Sequence, residues 1–134
     1  MWLFDWLKPK GPKVGQVLRY NLSSVDEEQT RGQWQKVEEL LSLGKPSQLK
    51  QAVIEADKIV DYILTRLVAG SSLGERMKSA RDLFDGDVYN RLWEAHKVRN
   101  ALVHESSYDP PYFVCKEAVN KFKEAVLSLN VRIN

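Results

Sequence analysis

The sequence predicts an all-α protein: an up-and-down bundle of four to five helices over residues 24–134, preceded by an N-terminal extension over residues 1–23. Three observations favour this fold. Apolar residues recur at the period of about 3.6 residues that marks amphipathic helices. Helix-capping and helix-stopping residues separate these segments. The connections between them are short, which is typical of helices packed side by side, and no strand signal of comparable quality appears.

The extension has a short aromatic amphipathic start, with Trp2 and Trp6 followed by Lys8 and Lys10. Its apolar part is about six residues long, far short of the roughly 20 that span a bilayer. Two interpretations remain open. The segment packs on its own domain or on a partner, which we favour, or it rests at a membrane surface.

The first helix of the domain begins at a capping box, because Ser24 and Glu27 have the Ser-x-x-Glu spacing. It should run to about Leu43, where Gly44 and Pro46 stop it.

The second helix is the best determined by its pattern, and we expect Ser47 to cap it and the helix to reach about Val68. Two carboxylates lie near its apolar stripe: Asp57 on the edge of the stripe and Asp61 one turn further on. The stripe that faces the core comprises Leu49, Ala52, Val53, Ala56, Val60, Ile63, Leu64 and Leu67.

Three further helices follow. Ser72 and Glu75 form a second capping box, which starts a helix that Gly86 stops. Asp87 starts the next helix. Asp109, followed by two prolines, caps and opens the last helix, because proline is tolerated in a first turn.

The helix that starts near Asp87 carries the chemistry of the chain. Arg99 falls within its apolar stripe, where a charge needs a carboxylate, a subunit interface or a phosphate. Asp57 or Asp61 could supply the carboxylate. The stripe comprises Val88, Leu92, Ala95, Leu102 and Val103. A second row on the same side of the helix comprises Tyr89, Trp93, His96, Asn100 and His104.

The composition restricts the other possibilities. A net charge of +2 does not by itself predict a nucleic-acid-binding protein. The single cysteine, Cys115, excludes an internal disulfide, lies on an apolar stripe as a packed thiol, and fits a reducing compartment such as the cytoplasm. The two histidines have no ligand spacing, so we expect no metal and no cofactor.

The run from Arg99 to His104 resembles the Arg-polar-x(3–5)-His motif of the HEPN superfamily, and the resemblance covers about residues 48–129. These domains are small, helical and often homodimeric, and many are metal-independent endoribonucleases. The resemblance implies a homodimer whose composite site binds RNA or a nucleotide. It implies that His104 transfers a proton, that Arg99 stabilises charge on the phosphate and that Asn100 positions it.

Other residues of the site have less definite roles. We expect Asp57 and His96 to support the site, with His96 flanking the motif. Trp93 and Tyr89 could stack on bases, but an interface role is favoured. Arg99 could be a structural ion pair or a phosphate clamp, and the two roles are compatible.

One geometric problem concerns Arg99 and His104. Five residues turn an ideal helix by roughly 140°. The two side chains therefore share a site only if the helix ends before His104 or a second subunit completes the site.

The competing hypothesis is a non-catalytic HEPN-like module for dimerisation or nucleotide binding. Its N-terminus would tether the dimer to a membrane surface or to a second protein. Such a protein would be peripheral to the membrane rather than free in the cytoplasm.

Overall fold

The computed structural model describes residues 24–134, and these contain no strand. The all-α prediction is therefore confirmed for this part of the chain, and the extension predicted over residues 1–23 lies outside it. The helices are α1 (Glu27–Leu43), α2 (Pro46–Thr65), α3 (Leu73–Ser79), α4 (Gly86–His104) and α5 (Tyr112–Ser128), and a single 3-10 turn (Arg81–Leu83) lies between α3 and α4.

Helix α1 begins two residues later than the capping-box prediction. Asp26, not Ser24, occupies the cap position, and its side chain accepts a hydrogen bond from the backbone N–H of Gln29 at 3.0 Å. The helix ends at Gly44, whose φ of 76° is a left-handed conformation that glycine adopts without a Cβ penalty. The backbone N–H of Asp26 also donates to the Tyr62 hydroxyl, which joins the start of α1 to α2.

Helix α2 lies at the centre of the bundle and contacts α1, α4 and α5. Pro46 is its first residue, so Ser47 lies inside the helix instead of capping it. Proline suits this position because the first backbone N–H of a helix has no partner within the helix. The helix ends at Thr65, three residues before the predicted end at Val68.

Two other predicted boundaries are wrong, and one is confirmed. Ser72 caps α3 by accepting a hydrogen bond from the backbone N–H of Glu75, as its capping box predicts. Gly86 is the first residue of α4 and not the end of the preceding helix. Asp109 does not cap α5, because the residue that precedes this helix is Pro111, and no side chain caps it.

The core is apolar with three exceptions among the described residues. Thr30, Asp57 and His96 are the buried residues there that carry polar or charged side chains. The buried hydroxyl of Thr30 is satisfied close by in the chain, because it donates a hydrogen bond to the Asp26 carbonyl one turn earlier. Asp57 and His96 come from α2 and α4, and they mark the place where these helices meet. Within residues 24–134, no helix is long and apolar enough to cross a membrane.

Candidate functional site

Helix α4 presents its residues to the core in a different pattern from the predicted stripe. Leu92, Ala95 and Leu102 are buried, as expected for a stripe that faces the core. Val103, which was assigned to the same stripe, is 42% exposed. His96 is buried instead, because the side of α4 that packs against α2 passes through the row of polar and aromatic residues.

Asp57 is the charged centre of the candidate site. Its side chain is only 6% exposed, and it projects from α2 towards α4. One carboxylate oxygen, Oδ1, lies 2.9 Å from Nδ1 of His96, and the other, Oδ2, lies 3.3 Å from Nε of Arg99. A single buried carboxylate therefore holds both an imidazole and a guanidinium, and we name this group the Asp57 cluster.

The Arg99 guanidinium is held by charge more than by hydrogen bonds to Asp57. Its Nε lies within ion-pair distance of Asp57, but the N–H is not aimed at the oxygen, and this buried atom has no hydrogen-bond partner among the described residues. One terminal nitrogen donates to Oδ1 of Asn100 at 3.0 Å. The side chain as a whole remains 28% exposed, so Arg99 is not sealed in the core as Asp57 is.

His104 lies outside the Asp57 cluster. It is the last residue of α4 and it is exposed, and no hydrogen bond or ion pair joins its side chain to another described residue. Because α4 stays helical through His104, the roughly 140° between Arg99 and His104 persists. Of the two ways to bring these side chains together, only a second subunit remains.

The aromatic residues of α4 pack within their own subunit. Tyr89 is buried between Phe84 and Trp93, with ring centroids 6.3 Å away in each case. Trp93 is half-buried, and its ring stands edge-on to the His96 ring at a centroid distance of 5.8 Å. Tyr89 therefore presents little surface to a base, whereas Trp93 keeps part of its surface free.

Asp61, the alternative partner for Arg99, is used elsewhere. Its carboxylate accepts a hydrogen bond from Nε of Arg76 at 2.7 Å and forms an ion pair with the same guanidinium. This removes the ambiguity between the two carboxylates of α2. It also leaves Asp57 as the carboxylate of α2 that pairs with Arg99.

The sequence predicts His96 as a supporting residue that flanks the motif, and in the structure His96 contacts Asp57 directly. The spacing of residues along α4 contains one indication of this contact. His96 and Arg99 are three residues apart, so they lie on one side of the helix, and both can reach the same partner on a neighbouring helix. Spacing within α4 alone does not reveal this, because Asp57 is 39 residues from His96 in the chain.

Three other predictions concern the cysteine, a metal site and the N-terminal tether. Cys115 is buried, and burial raises the pKa of its thiol, with the nearby Asp109 carboxylate adding to the effect. Over residues 24–134, no group of three or more histidine, cysteine, aspartate and glutamate side chains is arranged to hold a metal ion. Trp2, Trp6, Lys8 and Lys10, proposed for a tether, are outside the described residues.

Comparisons with known proteins do not assign the chain to a family. No family model matches the sequence, and no curated protein and no solved structure is similar enough to be matched.

Proposed function

We propose that this chain is a HEPN-like RNA-binding protein that cleaves RNA without a metal ion, in a site shared by two copies. The observation that supports the proposal is the state of Arg99. Asp57 lies against the guanidinium and Asn100 accepts one of its hydrogen bonds, while the side chain as a whole remains 28% exposed. A planar donor group held in this way suits a phosphodiester, because its N–H groups match two phosphate oxygens.

The proposed chemistry uses the 2′-hydroxyl of RNA as an internal nucleophile. That oxygen attacks the adjacent phosphorus, the bond from phosphorus to the 5′-oxygen breaks, and a 2′,3′-cyclic phosphate and a 5′-hydroxyl are formed. Arg99 stabilises the negative charge that grows on the phosphate oxygens, and Asn100 positions the group. The attacking 2′-hydroxyl gives up its proton and the leaving 5′-oxygen takes one up. His104 moves one of these two protons, because imidazole can both accept and donate a proton, and the other is exchanged with water.

A homodimer is part of the proposal for a geometric reason. Arg99 and His104 lie on one continuous helix and point in directions roughly 140° apart. One subunit therefore cannot place both side chains on one phosphate. A second copy packed against this end of α4 would bring its own His104 close to Arg99 of the first.

The experiment is a cleavage assay on structured and single-stranded RNAs, with chelator present, using purified wild-type protein and His104→Ala. His104 is exposed, so its removal should leave the melting temperature unchanged while cleavage is lost. The matched control is Asn90→Ala, which changes an exposed polar residue on the same helix and should cleave normally. The proposal is wrong if the wild-type protein leaves all the RNAs intact or if His104→Ala cleaves as fast as the wild type.

The second candidate is a non-catalytic module for dimerisation or nucleotide binding. Two observations favour it: Asp57 already neutralises Arg99 within its own subunit, and His104 is exposed without a partner among the described residues. On this hypothesis the first ten residues tether the dimer to a membrane surface or a partner. Nucleotide binding that survives His104→Ala, and liposome pelleting that requires residues 1–10, are the expected results.

A further inference from the structure

His96 is a buried titratable group that the proposed chemistry does not yet use. The residue is 8% exposed, and its Nδ1 lies 2.9 Å from the Asp57 carboxylate. An ionised carboxylate only accepts hydrogen bonds, so Nδ1 carries the hydrogen and donates it. In the neutral ring the lone pair is then on Nε2, for which the described residues supply no hydrogen-bond partner.

His96 is also the imidazole that lies beside Arg99 within one subunit. The two residues are three apart on α4, about 4.5 Å along the axis and roughly 60° apart around it. They contact the two oxygens of the same carboxylate. His104 is eight residues from His96, about 12 Å further along the helix. It therefore cannot serve the same phosphate from the same subunit.

We propose that His96 is a proton-transfer residue of the Arg99 site, with Nε2 as the working nitrogen and Asp57 as the positioning residue. This inference rests on the proposed function, and its substrate is an RNA phosphodiester. Nε2 takes the proton of the 2′-hydroxyl while the bond from the 2′-oxygen to phosphorus forms. The bond from phosphorus to the 5′-oxygen breaks, and that oxygen receives its proton from the protonated His104 of a second copy.

Asp57 has a defined part in this step. It fixes the ring orientation and the tautomer of His96, and its negative charge stabilises the imidazolium that forms when Nε2 takes the proton. Its other oxygen forms an ion pair with Arg99, so the same carboxylate also holds the guanidinium. The carboxylate thus acts through His96 and Arg99 without touching the substrate.

The test compares His96→Asn and Asp57→Asn with the wild type. Asparagine at position 96 can keep an N–H near the place of Nδ1 but has no group at Nε2. We expect His96→Asn to lower kcat by about 10²- to 10⁴-fold while KM changes little, the usual contribution of a placed proton-transfer group. It should also remove the acidic limb of the pH–rate profile, which a residue that only supports the fold would leave in place. The control is Asn90→Ala, which should match the wild type.

A measurement on the wild-type chain covers the case in which these variants unfold. The chain has two histidines, so its histidine ring-nitrogen NMR spectrum is simple, and His104→Ala assigns it. We expect neutral His96 to carry its hydrogen on Nδ1. Its Nε2 resonance should shift when a 2′-O-methyl RNA oligonucleotide, which cannot be cleaved, is added.

The outcomes separate this inference from the proposed function. If the wild type cleaves RNA, His104→Ala does not, and His96→Asn cleaves at the wild-type rate, the role of His96 is wrong and the proposed function stands. A hydrogen on Nε2 of neutral His96, or no shift of that nitrogen with bound oligonucleotide, overturns the inference as well. If the wild type cleaves no RNA, the proposed function fails and the role of His96 fails with it.

Discussion

The ion pair between Asp57 and Arg99 makes a quantitative prediction about stability. Replacing Arg99 with methionine removes the guanidinium and keeps an unbranched apolar stem. Asp57 then remains in the core, with a side chain only 6% exposed and His96 as its remaining partner among the described residues. Burying a charge without its counterion is unfavourable, so the free energy of unfolding should fall.

The size of the effect follows from the geometry. Two unit charges 3.3 Å apart attract with about 5 kcal/mol at an effective dielectric constant near 20. Breaking a buried pair usually costs about 3–5 kcal/mol, and much of this is the cost of the charge left behind. Since 28% of the Arg99 side chain is exposed, the pair is partly screened. We therefore expect Arg99→Met to cost about 2–3 kcal/mol, which lowers the melting temperature by roughly 8–12 °C for a domain of this size.

The assay is urea unfolding followed by circular dichroism and by tryptophan fluorescence, to which the buried Trp34 contributes. Lys97→Met is the matched control, because it removes an exposed cation from the same helix, and it should change stability by less than about 0.5 kcal/mol. A double-mutant cycle with Asp57→Asn should give a coupling energy of about 1–2 kcal/mol. A coupling energy near zero, or an Arg99→Met variant as stable as the control, would show that the ion pair between Asp57 and Arg99 does not stabilise the fold.

Three further predictions follow from other contacts. Gly70→Ala should destabilise the chain by about 1–3 kcal/mol in urea unfolding, because its φ is 157° and a Cβ there would lie 2.8 Å from the backbone nitrogen of Arg76; unchanged stability would contradict this. The Cys115 thiol should react slowly with a thiol reagent at pH 8 and quickly in urea, because burial raises its pKa; equal rates would be the contrary result. The hydrogen bonds from Arg91 lower the pKa of Glu124, so this pair stabilises the fold above the ordinary carboxyl pKa and stops doing so as the pH falls through the lowered value. In acid titrations Glu124→Gln should therefore lose less stability than the wild type, and an equal loss would exclude the effect.

The fold could be predicted from the sequence because its signals are local. Apolar residues spaced at the helical period predict both the helices and the face that each one buries, and the whole predicted stripe of α2 is buried. Helix ends are less well determined, because several polar residues compete for each cap position. Asp26 occupies the cap position predicted for Ser24. Pro46 is the first residue of the helix that Ser47 was predicted to cap.

The site could be predicted only in part, because it depends on contacts between distant residues. Arg99 could be predicted as a site residue because it is a charge on the apolar stripe of α4. Asp57 could be predicted because it is a carboxylate on the edge of the apolar stripe of α2. Which of two carboxylates meets Arg99 depends on how α2 and α4 are rotated against each other, and local spacing does not contain that angle. The same rotation buries His96 and exposes Val103, and the spacing within α4 predicts neither.

Each of the two histidines of α4 lacks one property that a proton-transfer residue needs. A residue of this kind needs a fixed ring and access to the substrate. His96 has the fixed ring, because Asp57 holds Nδ1, but only 11% of its side chain is exposed. His104 has the access, but nothing among the described residues fixes it. A second copy packed over the end of α4 would immobilise His104 and would place Arg99 between two imidazoles. Dimerisation would therefore complete the site chemically as well as sterically, which makes the oligomeric state the property on which the proposed activity depends most.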